Sequence, residues 1–499
     1  MKRIFVNALI IIVSSLLLNT AGISFRVFLS NKIGMEGIGL LQLIFSVYMM
    51  ATLFVINGIN VAVTRLVAEE GGRTSFSVSR ALIVKAVSMS FLFSIPAFAF
   101  LYFGAGLIGR DLLGDERTVY SLKLLAVGMP FAAVSACIKG YFYAVSKVAR
   151  PAFSQAVELA VQIAIIINIL DHFLESGLEY ACAAIAVGIT ISELFACLCA
   201  LTLYWYEKRR NGGETSSCYF HQPGIRKKIL YISVPVSASS LIRTGLKAME
   251  NIMIPAGFEK HGYSRKMSLE EYGKIHGMVM PVLMFPASVI LAFSVLMLPE
   301  VSEANALKQK KRVEYSVTRA LQLTAVMSVL TAGIFAAFSN QLGIAIYNSP
   351  DCGLLMKLLA PLIPLIYMDI VIDELLKGLN QQVSALRYNI TDAAVKIILI
   401  YYILPEEGLT GLILIMYLSS SFNFSVSMRR LLKTTKLSFQ FKNWLIKPVL
   451  SVIAACTAAV FLLNALMPGL SYVPYIICGA ALSCVLYFIS LLWLGGLTR

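Results

Sequence analysis

Apolar runs of about 20 residues recur along the whole chain, separated by short polar segments. That is the length at which a helix crosses about 30 Å of hydrocarbon. The pattern predicts 14 spans, at 4–24, 38–63, 80–104, 120–145, 151–171, 180–204, 229–256, 275–298, 314–338, 354–377, 383–404, 408–428, 447–467 and 472–494. Pro96, Pro130, Pro235, Pro281, Pro286 and Pro364 fall inside spans. In lipid, neighbouring helices and waters re-satisfy the carbonyls that proline frees, so kinks are expected rather than helix ends. The first run follows Lys2 and Arg3, as in a secretory signal. It continues past residue 18 without a small-residue cleavage site, so a retained span is expected.

Composition agrees. Of the 499 residues 58% are hydrophobic and 14% charged, and the mean hydropathy is +0.78. Soluble domains are nearer 45–50% apolar and about 25% charged. An all-α polytopic membrane protein is the expected fold class, because only helices pair every backbone polar group within a lipid-crossing segment.

Charge gives the orientation. Lys and Arg total 42 against 27 Asp and Glu, a net +15. With the N-terminus in the cytoplasm, inner segments hold 28 of the basic residues and outer loops 8. This positive-inside bias predicts both termini on the cytoplasmic side of a cytoplasmic membrane, and it accounts for most of the +15 without a nucleic-acid partner. The nine cysteines lie mostly inside spans, without metal-ligand spacing. No metal and no cofactor is expected.

The chain repeats itself. Val78-Ser79-Arg80-Ala81-Leu82 at span 3 matches Val317-Thr318-Arg319-Ala320-Leu321 at span 9. Leu124-Leu125 and Pro130 of span 4 match Leu358-Leu359 and Pro364 of span 10, and Lys139-Gly140 matches Lys377-Gly378. Ser14-Ser15-Leu16 matches Ser239-Ser240-Leu241. Spans 1–6 thus resemble spans 7–12, and an even number per copy makes the repeats parallel. The expected architecture is a six-helix lobe over 1–206, a basic cytoplasmic linker over 207–228, a second six-helix lobe over 229–435 and an added helix pair over 436–499 (spans 13 and 14). Two parallel lobes around a cavity are a transporter plan.

Ionisable residues inside spans mark candidate sites. Arg243 and Lys247 share a face of span 7, with Glu250 a turn further. Arg26 lies at the outer end of span 1, Arg65 at the inner end of span 2, and Asn57 and Asn60 lie deep in span 2, three apart. The planar fork of Arg suits a phosphate or pyrophosphate. Snorkelling of Arg26 and Arg65 to the interface is the plainer alternative. Span 10 carries Asp369, Asp373, Glu374 and Lys377, where Asp373 and Lys377 can pair at i, i+4 or the acids can serve a gate or ion site. Glu158 of span 5 and Lys396 of span 11 are repeat-equivalent and of opposite charge. They form a candidate gate between lobes, unless each pairs locally. There is no phosphate-binding glycine loop and no nucleophile–base constellation, so an enzyme is not expected.

Arg26-Val27-Phe28-Leu29-Ser30-Asn31-Lys32-Ile33-Gly34-Met35-Glu36-Gly37, then Gln42-Leu43-Ile44-Phe45-Ser46-Val47-Tyr48 and Ala62-Val63-Thr64-Arg65-Leu66-Val67-Ala68-Glu69, resemble the stage V sporulation protein B family. That family lies beside the lipid II flippases in the multidrug/oligosaccharidyl-lipid/polysaccharide exporter superfamily. Ile252-Met253-Ile254-Pro255 and Leu298-Pro299-Glu300-Val301-Ser302-Glu303-Ala304 extend the likeness. The resemblance implies a flippase for an undecaprenyl-pyrophosphate-linked sugar, working by alternating access. Arg26, Arg65 and Arg243 would hold the head group, and spans 13 and 14 the lipid tail. Glu250 and Asn251 stand where the family pattern carries Asp and Thr, so the resemblance assigns no role to this acid. The implied partners are the lipid-linked sugar, membrane lipids and a monovalent coupling cation. The alternative is a cation-coupled multidrug exporter on the same fold. Span 1 has no acid, and Glu36 is the first in the chain; this favours an anionic substrate.

Overall fold

The computed structural model describes residues 2–71, 76–145, 147–210, 225–437, 442–466 and 469–495. Among these, all regular structure is helical. Eleven helices are long and apolar enough to cross a membrane. Two of them are double: Lys2–Gly71 breaks at Gly34 (φ 72°) and Gln382–Thr435 at Gly408 (φ 56°). Both glycines adopt left-handed backbone that other residues enter at a cost. Counting these as two each, and adding the helix Ala287–Ala306 over span 8, gives the fourteen expected crossings.

The prolines divide into two groups. Pro96 and Pro130 lie inside continuous helices, as expected. Pro286 instead caps the helix that starts at Ala287, and Pro364 stands in the first turn of Ile363–Gly378, after a 3₁₀ turn over Ala360–Leu362. A first turn needs no N–H from proline, so a break there is the cheaper solution. Of two short helices, Ser339–Tyr347 precedes span 10 and Pro350–Leu359 forms its first part. They approach so closely that a Cβ on Gly343 would lie 2.4 Å from the Gly353 nitrogen.

Cα packing separates two compact units, Met1–Phe25 with Glu36–Ile252, and Arg26–Met35 with Met253–Arg499. In the first, Val119–Ala144 packs between Phe76–Leu107 and Leu178–Arg210, and Ala149–Leu174 packs on Leu178–Arg210. The last of these runs to Arg210, into the expected linker, and its Glu207 is 2% exposed and ion-paired with Lys147 and Arg150. Residues 211–224 of that linker, with Cys218, lie outside the described residues.

In the second unit, spans 13 and 14 (Lys447–Leu466 and Tyr472–Trp493) dock on span 9 (Lys310–Ala337). Val326, Val329 and Leu330 bury against Val452, Ala455, Cys456, Tyr487 and Leu491. A Cβ on Gly333 would stand 2.3 Å from Val452, so a glycine is what lets these helices approach. The Tyr487 hydroxyl donates to the Val326 carbonyl at 2.9 Å. Large apolar side chains remain on the outside, with Trp493 91% exposed and Phe103 79%. In a membrane these face lipid.

Candidate functional site

Spans 2 and 7 of the first unit form an antiparallel seam. Asn251 Nδ2 donates to Ser46 Oγ at 2.9 Å, and Asn57 Nδ2 to Ser240 Oγ at 2.6 Å. Ser237 Oγ donates to the Phe54 carbonyl at 2.6 Å. Gly58 makes the contact possible: a Cβ there would lie 2.1 Å from Ser237 Oγ and 2.6 Å from the Ser233 carbonyl oxygen. Polar side chains thus hold two membrane helices together where apolar ones would gain little over lipid.

Two different surfaces flank the seam. At 100° per residue, Arg243, Lys247 and Glu250 fall on one side of span 7. Arg243 is exposed and has no hydrogen bond or ion pair among the described residues. Lys247 is also exposed, and its Nζ lies 2.8 Å from Oε1 of the buried Glu250. On the other side, Leu241 and Gly245 line an apolar cavity of about 450 Å³ with Met50, Ala51, Phe54, Pro96, Ala97 and Phe100.

The remaining expected residues divide between the units. Asn60 does not share the seam with Asn57. Its Oδ1 accepts from Thr64, and its backbone oxygen lies 3.0 Å from where a Cβ on Gly140 would stand, so it faces span 4. Arg65 is exposed and pairs with Glu69 at 2.7 Å. Arg26 is exposed and belongs to the second unit, where its neighbour Asn31 donates to the Ile346 carbonyl at 3.1 Å. Glu158 pairs with Lys139 at 3.0 Å, and Lys396 lies 3.9 Å from Asp392. Each has a partner in its own unit.

Span 10 departs from the expected pairing. Lys377 reaches Glu374 at 2.5 Å rather than Asp373. Asp373 instead accepts from Asn389 at 2.9 Å. Asn423 donates to Asp369 at 2.7 Å and to Asn389 at 3.1 Å, and Ser419 donates to Asp392 at 2.6 Å. An amide-linked carboxylate network therefore joins spans 10, 11 and 12. Among the described residues no three His, Cys, Asp or Glu converge in a way that would hold a metal ion.

Sequence reasoning missed Asn389, Asp392 and Asn423 of this network, and Glu193 in span 6. All four are polar residues within apolar runs. That signal would have flagged them had it been applied to every span.

Residues 4–256, just over half of the 499-residue chain, match the family described as polysaccharide biosynthesis protein. Stage V sporulation protein B of Bacillus subtilis (strain 168) is 24% identical over 424 residues, covering 82% of this chain and 80% of that protein. Lipid II flippase MurJ of the same organism is 19% identical, covering 76% and 73%. Among solved structures, lipid II flippase MurJ in an inward closed conformation superposes with a TM-score of 0.72 at 14% identity, covering 98% of this chain and 99% of that one. An inward-facing multidrug resistance MATE family transporter of the MOP superfamily gives 0.66 at 14% identity, covering 85% and 96%. The fold is that shared by these two solved transporters.

Proposed function

We propose, from the premise that the chain belongs to the polysaccharide biosynthesis protein family, that it flips an undecaprenyl-pyrophosphate-linked sugar across the cytoplasmic membrane by alternating access. The observation that carries this reading is Arg243. A guanidinium on a membrane-crossing helix, exposed and without a partner among the described residues, is expensive unless an anion or water meets it. A pyrophosphate matches its fork bidentately. Lys247 adds a second donor on the same face. Arg26 and Arg65 would meet the head group as it enters or leaves, and Asn57, Asn60 and Glu250 would shape the path. The six-helix lobes expected over 1–206 and 229–435 would be the moving bodies, with most of span 7 packed on the first unit, and Asp369 with Asp373 would be the place for a coupling monovalent cation.

A second reading, a cation-coupled multidrug exporter, is favoured by the cavity of about 450 Å³ beside the seam, whose apolar lining suits the hydrophobic body of a small drug. Reconstituted vesicles decide between them. The first reading expects transbilayer movement of a fluorescent lipid pyrophosphate sugar and no efflux of a cationic dye. Dye efflux without lipid movement would replace it with the second.

A further inference from the structure

Span 6 carries a carboxyl that the flipping scheme does not use. Glu193 lies mid-helix in Leu178–Arg210 and is 8% exposed. Its Oε1 accepts the hydroxyl of Tyr48, from span 2. Its Oε2 is buried and has no hydrogen-bond partner among the described residues. That oxygen is seated against span 4, where a Cβ on Gly128 would stand 2.0 Å away. The recess therefore exists because residue 128 is a glycine.

Among the described residues, the charged groups that act on the carboxyl through space are Glu158 of span 5 and Lys139 of span 4. They hold each other at 3.0 Å. Among the described residues no cation other than Lys139, already paired with Glu158, acts on Glu193. An ionised carboxylate with one hydrogen bond, no ion pair of its own and almost no water is costly, and its neutral form avoids most of that cost.

We propose that Glu193 is a proton-binding site of the first unit, closed around its proton in this conformation and emptied when span 2 parts from span 6. The step forms and breaks one O–H bond, with the proton taken from and returned to water. Tyr48 is the positioning residue, because its hydroxyl is the contact between span 2 and the carboxyl. Ser46, two residues before it, accepts from Asn251 of span 7 at 2.9 Å. A shift of span 2 that loosens Tyr48 thus also moves the seam that carries the candidate substrate face. Proton occupancy and seam geometry are coupled through one helix. The inference does not depend on which substrate crosses.

Infrared difference spectroscopy on the full chain in lipid, stepping from mildly acid to mildly alkaline buffer without substrate, tests this. A protonated-carboxyl band should vanish with rising pH, be absent in Glu193→Gln, and shift in Tyr48→Phe, which removes the hydrogen bond to its carbonyl. Thermal unfolding checks that Glu193→Gln folds. If it does not, the band shift in Tyr48→Phe carries the test. A band unchanged in both variants overturns the proposal. So does a band abolished by sodium at fixed pH, which would make the site a metal-cation site. In vesicles, Glu193→Gln should flatten the pH dependence of transport. Because the spectroscopic arm needs no substrate, its failure is distinguishable from failure of the flippase reading.

Discussion

Arg243→Ala removes a charge-assisted hydrogen-bond donor worth about 1.5–3 kcal/mol, or roughly 10–150-fold in head-group binding. Flipping should fall accordingly while insertion and thermal unfolding stay normal, since Arg243 supports no other described side chain. Arg243→Lys should recover only part, because an ammonium keeps the charge without the fork. Wild-type flipping by Arg243→Ala, measured in vesicles, would move the site elsewhere. At the same scale Gly58→Ala should lower the unfolding temperature in detergent. The new methyl meets a backbone carbonyl that cannot rotate away, and overpacking of this kind costs about 1–3 kcal/mol. Adding Ser237→Ala relieves only the hydroxyl clash and should restore part of the loss. The charges and prolines of these sites were legible in the sequence, but the pairings were not. Asn57 and Asn60 are three apart on a helix, yet one meets Ser240 and the other faces Gly140. Which neighbour a side chain meets depends on helix packing, which no local pattern encodes.

Among the elements, spans were the most legible, because hydropathy over about 20 residues is a strong signal in lipid. The exceptions have local causes. Pro364 begins a helix rather than kinking one, because span 10 is itself broken into Pro350–Leu359, a 3₁₀ turn and Ile363–Gly378. The Glu158–Lys139 contact couples spans 4 and 5, and it redirects the test of the gate. Glu158→Lys sets two ammonium groups face to face and should destabilise the first unit, by less than the roughly 3–5 kcal/mol of a fully buried pair because Glu158 is partly exposed. Rescue of unfolding temperature by Lys139→Glu on that background is the outcome expected of the local pair. Rescue of transport by Lys396→Glu instead would be the outcome expected of a gate between lobes.

For the whole molecule, a head group carrying about two negative charges gains roughly 4–5 kcal/mol per 100 mV on moving outward under an inside-negative potential. Flipping in vesicles should therefore quicken as a potassium-diffusion potential is imposed. Strict dependence on a sodium or proton gradient, with no response to voltage, would instead favour compensated, ion-coupled movement. The repeat that suggested two lobes was visible only as scattered matches. Glu158 and Lys396, at matching positions of that repeat, carry opposite charges, so the charge pattern does not follow the repeat.

The docking of spans 13 and 14 on span 9 also sets a schedule for biogenesis. The cleft at Gly333 is made more than a hundred residues before Val452, Cys456 and Tyr487 leave the ribosome to fill it. Until then the surface of Val326, Val329 and Leu330 must be tolerated by lipid or shielded by the insertion machinery. A chain stopped before Lys442 should insert its earlier helices and then be cleared by membrane proteases. Co-expression of 442–499 as a separate piece should rescue it, because the missing partner is a surface and not a covalent link.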